Sequence, residues 1–86
     1  MAKKLTQEGN YFIVEDTVSG EIIQAAKGNT EYRITPGGEY EFINIATGQK
    51  LNSDGPVAFA DIVDSGDSAF ASTAALLTFL RTNTGY

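Results

Sequence analysis

Short apolar runs, separated by turns that contain glycine, fill most of this 86-residue chain. Six of these runs are typical of β-strands, because they alternate in polarity or are rich in β-branched and aromatic side chains. Several of the six are apolar on both faces, so both faces need cover. We predict strands at residues 11–16, 21–26, 30–35, 39–45, 49–51 and 57–63.

Glycines mark the turns between these strands. The segment TVSG (17–20) predicts a hairpin turn, and ATG (46–48) resembles its VSG part. In PGG (36–38), Pro36 presets its own backbone and Gly37 is expected to take the left-handed conformation of a type II turn.

The apolar spacing becomes helical near the C-terminus. Leu76, Phe79 and Leu80 lie at i, i+3 and i+4, which is one face of a helix. Ser72 is the expected N-cap of a helix over residues 73–82. A helix this short is marginal alone in water, so we expect the three side chains to dock as a lid on the core.

These elements predict an α+β, mainly β fold. We expect a small antiparallel sheet or sandwich of about five to six short strands, closed by one C-terminal helix, in a single domain over residues 11–86. Residues 1–10 are polar and lack periodicity, so they predict an N-terminal arm.

Composition removes several kinds of function. The chain has 11 acidic and 6 basic residues, and two of the basic residues are Lys3 and Lys4. From Leu5 onward the balance is 4 against 11, or −7, and such a body repels phosphate backbones. Nucleic acid is therefore not an expected partner. No apolar run approaches the roughly 18 residues that span a membrane, so a membrane partner is not expected either.

The residue types that most often carry chemistry are missing. The chain contains neither histidine nor cysteine, which removes the commonest general base and the commonest zinc ligands. No glycine spacing matches a phosphate-binding loop. We therefore predict no catalytic residues, no cofactor and no enzymatic activity.

Three aspartates, Asp61, Asp64 and Asp67, recur at intervals of three. Carboxylates of this kind could hold calcium, but their spacing does not match an EF-hand loop. We expect a solvated loop without metal, and a calcium-dependent module remains the weaker alternative.

The apolar strand faces exceed what one short helix can cover. Either the sheet folds on itself as a sandwich or barrel, or a partner covers the remainder. The candidate contacts with a partner are in the arm and at the aromatic residues near the termini. Tyr86 either packs back on the sheet or reaches a neighbouring chain. The candidate contact residues are Lys3, Lys4, Leu5, Tyr11 and Tyr86.

The layout resembles small virion structural proteins of bacteriophages, particularly phages of Bacteroidota. The resemblance includes KKLTQEGNYFIVED at the N-terminus, hairpins closing on SGE and TGQK, and an L-x-x-F-L-R-x-N-T-G-Y end. It is tight over residues 57–86, where the matching residues are Phe59, Asp61, Ile62, Phe70, Ser72, Leu76, Phe79, Leu80, Arg81, Asn83, Thr84, Gly85 and Tyr86.

The resemblance implies a non-enzymatic part of a particle, such as a capsid, vertex, decoration or tail component. Such a protein would be made in the cytoplasm of a bacterial host and located in the virion. Its partners would be copies of itself, as a homo-oligomer, or other virion proteins within a larger assembly. The rival hypothesis is a free-standing cytoplasmic protein-binding module.

Overall fold

A computed structural model describes residues 2–84. Within that range the chain forms seven strands and one α-helix, α1 (Thr73–Thr84). The helix begins directly after Ser72, the predicted N-cap. A single turn of 3-10 helix, Phe59–Asp61, separates the last two strands. The strands are β1 (Lys3–Glu8), β2 (Tyr11–Asp16), β3 (Ile22–Ala26), β4 (Thr30–Ile34), β5 (Glu39–Asn44), β6 (Val57–Ala58) and β7 (Ile62–Val63).

The strands form two sheets. Sheet A has the order β3-β2-β1-β7, and sheet B has the order β4-β5-β6. All neighbours are antiparallel except β1 and β7, which are parallel. The predicted fold class is confirmed, since the described chain is mainly β with a C-terminal helix.

The core includes side chains from both sheets and from α1. The rings of Phe12, from sheet A, and Phe42, from sheet B, have centroids 5.8 Å apart. Leu76 and Leu80 of α1 are fully buried in the same cluster. Phe79 is half-buried, and its ring lies 6.3 Å from that of Phe12. The three side chains predicted to form a lid thus all contact the core.

The start of α1 follows from its cap. The Ser72 hydroxyl accepts a hydrogen bond from the Ala75 N–H at 3.1 Å, which satisfies one of the free donors of the first turn. The helix runs to Thr84, two residues beyond the predicted end at residue 82. Thr84 is fully buried, and its hydroxyl donates to the Leu80 carbonyl.

The prediction of an arm over residues 1–10 is wrong for residues 3–8. They form β1, which lies between β2 and β7 and pairs with β2 along its whole length. Leu5 is fully buried, and Lys3 is only 3% exposed. The polar sequence was misleading, because the buried lysine is compensated by acids elsewhere in the chain. A chain without this segment would lose an interior strand of sheet A.

The predicted strand 57–63 is two short strands in different sheets. Val57 pairs with Tyr40 in sheet B, and Ile62 pairs with Lys3 in sheet A. Both Val57 and Ile62 are buried, although residues five apart in one strand would face opposite sides. The 3-10 turn at Phe59–Asp61 resolves this conflict and moves the chain from one sheet to the other.

Two smaller predictions are also corrected. Residues 49–51 form no strand, and Lys50 makes a single bridge to Ile43. In the PGG turn the positive φ, 81°, belongs to Gly38 rather than Gly37. Gly38 N–H donates to the Thr35 carbonyl, so Gly37 is the third residue of the turn but lacks the positive φ of a type II turn, and the left-handed residue is the fourth, Gly38.

Among residues 2–84, no helix has both the length and the apolar character needed to cross a membrane.

Candidate functional site

A buried ion cluster lies where β1 meets the turn after β2. The Lys3 Nζ donates to Asp16 Oδ2 at 2.8 Å and lies 2.7 Å from Asp54 Oδ1. The side chains of Lys3 and Asp16 are 4% and 7% exposed, whereas that of Asp54 is 34% exposed. A lysine can be this well buried only when its charge is paired and its donors are used.

Asp16 has a second role in the same place. Its Oδ1 accepts hydrogen bonds from the backbone N–H groups of Val18 at 2.8 Å and Ser19 at 3.0 Å. One carboxylate therefore shapes the β2–β3 turn with one oxygen and binds Lys3 with the other. The Lys3 hydrogen bond, followed by the bonds from Ser19 and Val18, holds the pKa of Asp16 well below its usual range.

Lys3 remains a cation at neutral pH. Burial is the largest single influence and lowers its pKa, but the bonds and charges of Asp16 and Asp54 together outweigh it. The net effect raises the pKa of Lys3 above its ordinary value of 10.5. Lys3 is consequently not available as a general base near neutral pH, and the cluster is a structural charge network.

A cleft of about 260 Å³ opens beside this cluster. It is lined by Lys3 and by the acidic residues Glu39, Asp54 and Asp61, together with the residues around Pro56. Three carboxylates against one ammonium make the cleft acidic. Within residues 2–84, no group of three or more acidic side chains is arranged to hold a metal ion.

Asn52 shapes the loop that forms one side of the cleft, a role that its sequence context hardly indicates. It is fully buried, its Oδ1 accepts from Phe42 N–H at 2.9 Å, and its Nδ2 donates to the carbonyls of Tyr40 and Gly55. The side chain thus extends the bonding of β5 beyond residues 49–51, where Asn44 N–H donates to the Gln49 carbonyl and Leu51 N–H donates to the Phe42 carbonyl. An asparagine after a lone apolar Leu51 is a weak signal for such a role.

The three aspartates of the predicted acidic loop serve different contacts. Asp64 Oδ1 accepts from the N–H groups of Gly66 at 2.9 Å and Ser68 at 3.0 Å, which shapes the loop itself. Asp67 has a positive φ of 64° and forms an ion pair with Lys4 at 2.9 Å. Asp61 is in the 3-10 turn beside the cleft.

The outer face of sheet A, directed away from the core, carries apolar residues. Tyr11 and Ile22 lie on it and are 48% and 60% exposed, and Ile13 between them is half-buried. Val18, in the adjoining turn, is 75% exposed. We call Tyr11, Ile13, Val18 and Ile22 the apolar patch. Polar residues of β1, such as Thr6 and Lys4, border it along the sheet.

The predicted partner contacts divide into three groups. Tyr11 is exposed in the apolar patch, and Lys4 lies on the same face, with its ammonium paired to Asp67. Lys3 and Leu5 are wrong as partner contacts, because β1 places both side chains inside the protein. Tyr86 lies outside the described residues.

Compared with protein-family models, with curated proteins and with solved structures, the chain shows no match. The candidate sites are therefore interpreted from their own geometry. The ion cluster is paired internally, the cleft is acidic, and the apolar patch is an exposed surface that a partner could cover.

Proposed function

We propose that this chain is a non-enzymatic structural component of a phage virion, in a capsid, vertex, decoration or tail, and that it acts through repeated protein–protein contacts. The observation that carries the proposal is the apolar patch on the outer face of sheet A. Tyr11 and Ile22 are 48% and 60% exposed on that face, and Val18 in the adjoining turn is 75% exposed. Apolar surface of this kind is stabilised when another protein covers it.

The charges of the molecule favour a protein partner over other classes. The net charge of −5 and the acidic cleft both repel phosphates. The one deeply buried lysine is neutralised by two acids and offers nothing to an anionic ligand. The resemblance of residues 57–86 to small virion proteins supports the particle as the setting of these contacts.

The alternative function is a free-standing protein-binding module in the host cell. The apolar patch supports this alternative equally, because a single partner could cover it as well as an array of copies. The two functions differ in where the protein is found, and in whether the contact repeats.

The deciding experiment follows the protein into particles. Particles from the organism that encodes the chain are separated on a density gradient, and the protein is quantified by mass spectrometry of its peptides. We expect it in the particle band at a fixed ratio to the major coat protein. Recovery in the unassembled fraction alone would contradict the virion function and favour the binding module.

Two variants connect that result to the surface. Tyr11→Ser should reduce incorporation into particles, because it removes the aromatic ring of the apolar patch. Ile34→Ser is the matched control, since Ile34 is also 48% exposed but lies on β4 in sheet B. Both should melt close to the wild type, because neither residue belongs to the buried core. Equal incorporation of the two variants would exclude the apolar patch as the contact surface.

A further inference from the structure

We propose that two copies of this chain pair through their β3 strands, antiparallel about a two-fold axis at Gln24, so that the two copies of sheet A join into one continuous sheet. This pairing deepens the proposed function and rests on it, because repeated contacts in a particle are the reason why copies of the chain would meet. It names the partner, a second copy, and the register in which that copy binds.

Backbone hydrogen bonds show which groups of β3 are turned outward. Asp16 N–H donates to the Glu21 carbonyl, and Lys27 N–H donates to the Asn10 carbonyl. Such bonds recur at every second pair of an antiparallel ladder, so the odd-numbered residues between 21 and 27 face β2. The backbone groups of Ile22, Gln24 and Ala26 therefore point to the open side of β3.

That side has no neighbouring strand in the part of the chain that the structure describes, because β3 ends the order of sheet A. The Ala26 carbonyl already accepts from Asn29 N–H at 2.9 Å. A copy paired about Gln24 would exchange both Gln24 bonds and would receive each Ala26 N–H on the Ile22 carbonyl of the other chain. These bonds engage only groups that the ladder leaves free.

The side chains match in the same register. Glu21 and Lys27 flank β3 at equal distances from Gln24, so the two-fold axis places each glutamate opposite the lysine of the other copy. The same axis places Ile22, which is 60% exposed, opposite the small Ala26. Moving the register by two residues in either direction separates both charge pairs and sets Gln24 opposite Ile22 or Ala26.

The edge also lacks the usual protection against pairing. Natural edge strands are guarded by proline, by a bulge or by a charge in mid-strand. The sequence of β3 is IIQAA, with neither proline nor charge, and its pairing with β2 is continuous. Glu21 accepts a bond from the Ser53 hydroxyl through Oε1 at 2.6 Å, and a carboxylate has further acceptor sites for a lysine.

A charge swap tests the register. Sedimentation equilibrium of the purified full chain should show a species of twice the 9.2 kDa chain mass, increasing with concentration. Glu21→Lys and Lys27→Glu should each weaken the dimer by about tenfold or more, because the two-fold axis turns two attractions into two repulsions. The double variant should regain most of the wild-type dissociation constant, since it restores opposite charges in reversed order.

Arg33→Glu is the control for the charge change, because Arg33 lies on β4, the edge strand of sheet B. It should leave the dimer intact. A second pair of variants tests the backbone: Gln24→Pro removes the outward N–H, while Gln24→Thr keeps it. Proline should abolish the dimer and threonine should not, with circular dichroism used to check that each variant is folded.

A wild type that stays monomeric at millimolar concentration, or a double variant as weak as the single ones, would overturn the inference. A monomer that is still recovered in particles would leave the proposed function standing. A dimer that never enters particles would overturn the proposed function and leave this pairing intact.

Discussion

Two hairpin turns of this chain share one backbone design. In the first, Gly20 N–H donates to the Asp16 carbonyl at 2.8 Å. In the second, Gly48 N–H donates to the Asn44 carbonyl at 2.7 Å. The two glycines have nearly the same positive φ, 77° and 76°, which a residue with a side chain adopts at a cost. The sequence similarity of VSG and ATG thus extends to the backbone.

The first side chain of each turn also accepts the same type of backbone hydrogen bond, but the two side chains differ in burial and in their other partners. Asp16 Oδ1 accepts from Val18 N–H, and Asn44 Oδ1 accepts from Ala46 N–H at 3.0 Å. Asp16, however, is 6% exposed and its other oxygen binds Lys3, whereas Asn44 is half-buried. A short motif can thus specify a turn, while its contribution to the stability of the fold depends on a strand elsewhere in the chain.

The largest effect should come from removing the two side chains. Asp16→Ala deletes the turn bonds and leaves Lys3 buried beside Asp54 alone, so we expect Tm to fall by more than about 10 °C. Asn44→Ala deletes the bond to Ala46 N–H and should lower Tm by about 3–8 °C. Calorimetry of both variants at neutral pH measures the two decreases in Tm and so compares them. Equal shifts would mean that the ion cluster adds nothing to the turn.

The next effect isolates the charge. Asp16→Asn keeps an acceptor for the turn but places an amide donor against the Lys3 ammonium, which is also a donor. We expect a fall in Tm of about 5–10 °C at neutral pH, smaller than for alanine. A shift equal to that of alanine would assign the whole effect to the ion pair.

Acid should remove the same contribution from the wild type. The pKa of Asp16 is depressed in the folded protein, so its stabilising effect is complete above the ordinary carboxyl pKa of about 4 and is lost as pH falls below it. The Tm of the wild type should therefore approach that of Asp16→Asn as pH falls from about 4 towards 2. Two Tm curves that stay parallel over this range would contradict the assigned role.

The same comparison explains what the sequence could predict. Strands β2 to β5 and α1 have signals within a few residues: alternation, turn glycines, and the cap at Ser72 that the structure shows bonded to Ala75. The turn at Asp16 was equally local. The fold class can be predicted from such signals, because the spacing of apolar residues within each element distinguishes a strand from a helix.

The missed features depend on partners far along the chain. The polar sequence of β1 predicts no strand, because the acids that compensate the buried Lys3 are not nearby in the sequence. They are Asp16 and Asp54, which are 13 and 51 residues away. The break in the predicted strand 57–63 follows from a change of sheet that only the complete fold defines. Of the residues in the apolar patch, the sequence predicts only Tyr11 as a contact.

The smallest effect should come from the reverse exchange, Asn44→Asp. The turn bond uses Oδ1, which aspartate also carries, so the backbone design is kept. The new charge is half-buried and adds to a chain of net charge −5, and we expect Tm to change by less than about 3 °C at neutral pH. Calorimetry beside Asp16→Asn makes the two exchanges a matched pair, asparagine for aspartate in one turn and aspartate for asparagine in the other. If Asn44→Asp destabilised as much as Asp16→Asn, the sensitivity would belong to the turn motif, and Lys3 would not be the cause of the difference between them.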